Sequence, residues 1–262
     1  MGFIHLLPRL KEFVDQFMKS NRAAIVLVKK ILGKIFYEKI VLLPILAVKC
    51  RIFAVENIFN MKLLHLSDTH GSHRRLIGLP SADVVVHSGD ITMTGTEKEA
   101  MDFLEWFCNL PYAHKIFICG NHDECLYGAR IDGLDPNVHY LCNSGVEIEG
   151  ARFYGVPMFM GDCVTARQRH NYAGIPADTD VLVTHTPPFG ILDLDDGIGG
   201  EFIHYGSEEL LAELGRVSPG AHLFGHIHRA HGLLPLNGTV FSNGAIMNED
   251  YTKLNTPNLI KI

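Results

Sequence analysis

Lys62-Leu63-Leu64-His65-Leu66-Ser67-Asp68-Thr69-His70 is an apolar run that breaks abruptly into an Asp-x-His pair, and the same pattern returns four more times in the chain. Val84-Val85-Val86-His87 leads into Gly89-Asp90, and residues 115–119 lead into Gly120-Asn121-His122-Asp123. Residues 180–183 lead into Thr184-His185, and residues 221–224 into Gly225-His226-Ile227-His228. Short apolar runs bounded by polar loops read as buried β-strands. Polar residues just beyond such strands fall where open α/β sheets gather their ligand chemistry.

Working outward, strands are expected at residues 62–67, 83–87, 115–119, 146–149, 152–156, 180–184, 221–224, 238–242 and 258–262. Residues 96–110 read as an amphipathic helix with Thr96 as N-cap, Glu97 and Glu99 in the first turn, and Ala100, Phe103, Leu104 and Phe107 on one stripe. A second helix is expected over residues 207–217, capped by Ser207, with Leu210, Leu211 and Leu214 facing inward. The apolar stretch 153–160 reads as core. No internal repeat or low-complexity tract stands out.

At 262 residues and 47% hydrophobic, the chain can bury a large core, and one compact domain over residues 61–262 is expected behind an N-terminal appendage. The six cysteines show no C-x-x-C pairing and are read as buried, reduced thiols, which favours a cytoplasmic location over a disulfide framework. The net charge of -6 hides an asymmetry. Residues 1–60 hold ten Lys/Arg against four Asp/Glu, whereas residues 61–262 hold thirteen against twenty-five. So acidic a domain offers no general basic surface, which disfavours long nucleic acid and requires any anion to be captured by a local positive centre. The basic first sixty residues hold no apolar run of spanning length, about 18 to 20 residues, and are a poor fit to a secretory signal. Three readings apply: a membrane-surface segment, a helical extension, or upstream sequence outside the natural product. The third is preferred, because Met61-Lys62-Leu63-Leu64 reads as a natural beginning and every motif lies downstream. Membrane contact is expected only through residues 1–60.

The residue types suit a pair of metal ions. Asp68 and His70 can reach one ion from a single loop. Asp90 has two carboxylate oxygens to share between ions. Asn121 offers a neutral carbonyl oxygen, and its neighbour His122 points at substrate. His226 and His228 lie on one exposed turn and can each reach a different ion. His185 ends an apolar strand that the prolines after it stop. Taken singly these signals are modest, and their ordered recurrence behind successive strands is what implies a dinuclear centre.

The five motifs resemble those of the calcineurin-like metallophosphoesterase superfamily over about residues 62–262. The stretches from Trp106 through Pro111-Tyr112-Ala113-His114-Lys115-Ile116 into Gly120, and from Gly206-Ser207 into Phe224-Gly225-His226, resemble its small MPPED-type, class III cyclic nucleotide phosphodiesterase-like branch. The resemblance implies an α/β fold, a four-layer α/β/β/α sandwich of two mixed sheets flanked by helices. It also implies one metal on Asp68, His70, Asp90 and His228, the other on Asp90, Asn121, His185 and His226, and His122 as the catalytic histidine. Some members of the branch lose the last histidine of the Gly-His-x-His element, and His228 is present here. The sequence departs at Arg229-Ala230-His231, where relatives often carry an acidic residue followed by an aromatic.

The expected activity is hydrolysis of a small phosphodiester or phosphomonoester, such as a nucleotide, by a metal-bridged hydroxide, with His122 acting on the leaving oxygen and Asp123 orienting His122. Imidazole, carboxylate and amide ligands without thiolate favour two transition ions from among Mn, Fe, Zn and Ni. Two alternatives are a Ser/Thr-type protein phosphatase and a non-catalytic protein-binding scaffold of the same fold. The stretch from Leu192 to Gly197 reads as a solvated acidic loop rather than a flap, and His65, His73, His87, His114 and His204 as structural or surface histidines.

Overall fold

The computed structural model of the chain describes residues 61–262; the basic segment 1–60, with its three readings, lies outside the described residues. Five strands form one sheet in the order β13-β1-β2-β3-β4, where β1 is Lys62–Leu66, β2 Val84–His87, β3 His114–Phe117, β4 Val138–Tyr140 and β13 Asn258–Lys261. β1 to β4 are parallel, and β13 closes the edge antiparallel to β1. Six strands form the other in the order β11-β12-β10-β7-β6-β5. They are β5 (Ser144–Ile148), β6 (Ala151–Val156), β7 (Val181–Thr184), β10 (Ala221–Phe224), β11 (Gly232–Leu236) and β12 (Thr239–Asn243). Their four central strands are parallel and the two edges antiparallel.

Alternation along the strands sorts their side chains into three apolar layers. Leu63, Val84, Val86 and Ile116 of the first sheet meet Phe153, Val181, Val183 and Leu223 of the second in one buried cluster between the sheets. Leu64, Leu66, Val85 and Phe117 point the other way, onto Ala100, Phe103, Leu104 and Phe107 of helix α1 (Glu97–Cys108). The outer face of the second sheet, through Leu182 and Val156, packs on Tyr172 of α3 (Arg167–Ala173) and on Leu210 and Val217 of α4 (Glu208–Val217). The result is the α/β/β/α sandwich. A short helix α2 (Met160–Val164) precedes α3. No described helix is long and apolar enough to cross a membrane.

Several local expectations change. Leu211 faces solvent, since only Leu210 of that pair lies on the stripe that meets the sheet. The acidic stretch is not a plain loop. Its β8 (Leu194–Asp196) pairs antiparallel with β9 (Phe202–His204), and Arg229 ties the hairpin down through Asp195 (3.3 Å) and Asp196 (2.7 Å). Of the five free cysteines described, Cys119 is buried as expected but Cys142 and Cys163 are exposed, because they sit in a turn before β5 and in a surface helix.

The sheets are laced together at one end. Ser67 N donates to the Gly244 carbonyl (2.8 Å) and the Ser67 carbonyl accepts from Ile246 N (2.8 Å), so the exit of β1 is bound to the exit of β12. Asp68 N donates to Gly89 O, His70 N to Asp90 O and Gly225 N to His185 O, which fixes the loops after β1, β2, β7 and β10 against one another. The sandwich thus delivers five strand ends to one rim.

Candidate metal centre

Four of the motif residues leave their strands through an unusual backbone turn. Asp68 (φ 51°), His70 (φ 42°), Asp90 (φ 55°) and His226 (φ 70°) all occupy the left-handed region. Such conformations cost on the order of 1 kcal/mol or more each and persist where surrounding structure over-determines them, typically at functional sites. The approach is close enough that the motif glycines Gly89, Gly120 and Gly225 tolerate no side chain. A Cβ on Gly120 would collide with the Asp90 carboxylate, and a Cβ on Gly225 with that of Asp68.

The seven sequence-expected ligands come together. His228 Nε2 lies 3.5 Å from Asp68 Oδ1, and His70 Nε2 lies 3.7 Å from Asp90 Oδ2 and 3.2 Å from His228 Nε2. His185 Nε2 lies 3.4 Å from Asp90 Oδ2, 4.0 Å from Asp68 Oδ1 and 3.2 Å from Asn121 Oδ1. The His226 ring sits 5.1 Å from that of His185. Three overlapping groups have ligand atoms close enough to hold a cation: Asp68, His70 and His228; Asp90, His185 and His226; and His70, Asp90 and His122. His122 therefore stands beside the same carboxylate as the others, with its ring 4.7 Å from that of His70.

Backbone carbonyls aim the imidazoles. Nδ1 of His70 donates to Thr92 O (3.2 Å), of His185 to Ser88 O (2.9 Å), of His228 to Asn248 O (3.2 Å) and of His122 to Met93 O (2.9 Å). Tying up Nδ1 fixes the tautomer and turns Nε2 toward the centre, the usual way proteins orient metal-binding histidines. Sequence reading missed these carbonyls, and no residue type could have signalled them.

The electrostatics of the patch call for positive charge. Burial opposes ionisation of Asp68, yet His228, His185 and His70 outweigh it and hold its carboxyl below the usual range. Asp90 is likewise lowered, burial again being overcome by His185 and His70. Conversely, burial disfavours a charged His185, but Asp90 and then Asp68 hold it well above the ordinary histidine range. Two buried carboxylates thus draw a cation between them, and a divalent ion meets that demand with the same oxygen and nitrogen donors. The residues present fit a metal site.

Asp123 behaves otherwise than expected. Its carboxylate accepts from Gly120 N (2.8 Å), Ile91 N (3.2 Å), Thr92 N (2.9 Å) and Thr92 Oγ1 (2.9 Å). It therefore clamps the loop after β2 to the loop after β3, while His122 is oriented by Met93. The turn after Gly120 folds the Asp123 side chain back under the loop, away from the imidazole beside it in sequence. Burial, and next the neighbouring Asp90, push the Asp123 carboxyl up to about 6 against those hydrogen bonds. Met93 is held in turn by Glu99, whose carboxylate accepts from the backbone N–H of Met93, Thr94 and Thr96 and from the hydroxyls of Thr94 and Thr96. Half of that arrangement was readable as a capping box, Thr96-x-x-Glu99.

The other histidines sit beneath the rim. His65 bridges Ser242 Oγ and Ser88 Oγ, His87 meets Thr69 Oγ1, and His222 meets Thr184 Oγ1. Burial lowers each of the three to about 3, so they stand neutral as supports of the ligand loops.

Comparison with known proteins places this geometry in context. Residues 61–230 match the family model described as calcineurin-like phosphoesterase. Two UPF0046 proteins of Caenorhabditis elegans are 33% and 36% identical to the chain, over 72% and 71% of it and 71% and 75% of their own lengths. Metallophosphoesterase domain-containing protein 1 of Homo sapiens is 32% identical over 75% of this chain and 69% of its own. The region matched by the family model ends just past His228, so Asn248 lies beyond it.

Proposed function

The chain belongs to the calcineurin-like phosphoesterase family and is a metal-dependent phosphoesterase hydrolase, and from that premise we propose that it cleaves a small phosphodiester or phosphomonoester at a two-metal centre. In this reading Asp68, His70, Asp90 and His228 hold one ion, and Asp90, Asn121, His185 and His226 the other. Ions drawn from Mn, Fe, Zn or Ni suit the donor set. Bound there, they supply Lewis acidity to the phosphoryl oxygens and a water of lowered pKa.

The chain's own residues do the rest. Asp90 shares its carboxylate across the centre, and its Oδ1 is fixed by the His122 backbone N–H (2.9 Å). The His226 backbone N–H holds both oxygens of Asp68 (3.1 and 3.0 Å). His122 is only partly buried and its Nδ1–H is committed to Met93, so Nε2 is the nitrogen left to act, and it is the doubly protonated imidazolium that would pass its Nε2 proton to the leaving oxygen. With an acidic surface around it, the centre itself is the anion trap, which suits a compact substrate better than a polyanionic polymer.

The observation that carries this reading is the convergence of Nε2 atoms and two buried carboxylates, the imidazoles of His70, His185 and His228 being aimed by backbone carbonyls. The test is metal analysis of protein purified without chelator, run beside a panel of bis-p-nitrophenyl phosphate, p-nitrophenyl phosphate, cyclic nucleotides and a phosphoprotein. Stoichiometric metal with chelator-sensitive turnover of a small ester is expected. Turnover of the phosphoprotein alone would convert the reading to a protein phosphatase, and metal near zero with no turnover would leave a scaffold.

A further inference from the structure

The loop after β12 brings an aromatic ring to the centre that neither the motifs nor the proposed chemistry uses. The Tyr251 ring lies 5.1 Å from His70 and 4.9 Å from His228, centroid to centroid, yet the residue remains 41% exposed. Its backbone is left-handed (φ 56°), a conformation that bulky residues rarely take. The turn enforces it. Asn248 Oδ1 accepts from Thr252 N (2.9 Å) and Lys253 N (2.8 Å), and Asn248 O accepts from Tyr251 N (3.0 Å). That same Asn248 carbonyl orients His228, so one turn sets both an imidazole and the ring against it.

The position relative to His122 gives the ring a use. His122 approaches His70 edge-on at 4.7 Å, and Tyr251 packs against the same imidazole. His70 thus has the His122 imidazole and the phenol ring as neighbours at 4.7 and 5.1 Å, which puts a partly exposed ring one imidazole away from His122, and aromatic groups pair at centroid separations of about 4.5 to 7 Å. Charge is a poorer basis for recognising a leaving group. Arg229, next to His228 in sequence, already faces Asp195, Asp196 and, at 3.9 Å, Glu249.

We propose that Tyr251 is a specificity-determining residue that stacks a planar ring carried on the leaving oxygen, so that ring-bearing phosphoesters are favoured over alkyl esters of equal charge. The proposal rests on the phosphoesterase reading above. In the hydrolysis, water oxygen bonds to phosphorus, the phosphorus bond to the leaving oxygen breaks, and that oxygen takes a proton. Tyr251 exchanges none of these atoms and acts by holding the group that departs.

The experiment compares metal-loaded wild type, Tyr251→Leu and Tyr251→Phe. Calorimetry with phenylphosphonate and methylphosphonate measures binding without turnover. Kinetics with phenyl and methyl esters of whichever phosphate class the wild type hydrolyses measure preference, and metal analysis accompanies both. In Tyr251→Leu the phenyl-over-methyl preference should fall about tenfold in binding and in KM, the range of stacking contacts, and Tyr251→Phe should restore it. An unchanged preference in Tyr251→Leu overturns the proposal, as does loss of metal in that variant, which would make the ring a prop for the imidazoles. If the wild type holds metal yet hydrolyses no ester, the phosphoesterase reading itself fails. Turnover with a ring-indifferent Tyr251→Leu variant removes only the role of Tyr251.

Discussion

The rim of the five-stranded sheet supplies Asp68, Asp90, Asn121, His70 and His122, whereas the rim of the six-stranded sheet supplies His185, His226 and His228 and no carboxylate. Three of the four left-handed positions, Asp68, His70 and Asp90, also belong to the first rim. The difference teaches a division of labour. One sheet carries the negative charge and the backbone strain needed to concentrate it; the other carries imidazole donors whose value is direction. Charge should therefore govern whether the metals stay, and direction how well the bound centre works.

The harshest way to break that contrast is Asp90→Asn. It removes the carboxylate that both proposed sites share, so turnover should be abolished and metal depleted, read by metal analysis and assay together. Normal metal with a normal rate would show that charge on the first rim is not what holds the ions. Gly225→Ala attacks the same charge from the second rim by driving a methyl group into the Asp68 carboxylate. Overpacking of this kind typically costs about 1 to 3 kcal/mol, and metal occupancy should fall with stability in a denaturation titration. His122→Ala removes from the first rim the group read as delivering a proton, and leaves its carboxylates in place. Both ions should remain while kcat drops about 10²-fold or more, and a parallel loss of metal would recast His122 as a ligand.

The mildest change, Glu99→Gln, sharpens the contrast at one remove. The mutation loosens the loop that presents the Met93 carbonyl to His122, so kcat should fall less than tenfold with metal content intact. Stability should fall about 1 kcal/mol, as for lost caps. Burial works against the ionised Glu99 carboxylate, but hydrogen bonds from Thr94, Thr96 and Met93 outweigh it and bring its pKa from 4.5 to about 2. A folded-state pKa below the unfolded one means the contribution is complete above about 4.5 and disappears as pH falls through 2. Denaturation of wild type and variant at pH 6 and at pH 2 should show the gap closing at the lower value.

What could be read in advance follows from which groups carry a residue-type signature. β1, β2, β7 and β10 are apolar on both faces, so their runs stood out, and each ended on a side chain whose chemistry pointed to a metal. Strands β4, β8 and β9 are three residues long, and β11 is a partly exposed edge with Pro235, so none had enough pattern to be seen. Asp123 was misread because sequence adjacency to His122 carries no information about which way the turn after Gly120 folds. Tyr251 left no trace at all, for its significance lies in a turn that begins at Asn248, twenty residues beyond the last motif.

The lacing of Ser67 to Gly244 and Ile246 also has a temporal side. During synthesis the first ligands emerge early, but the carbonyl that aims His228 and the strap that docks β1 onto β12 come from residues 244–248, and β13 then seals the flank of β1. A nascent polypeptide halted before that stretch would carry every motif and still lack the finished cradle, so ion capture should be a late event in biogenesis.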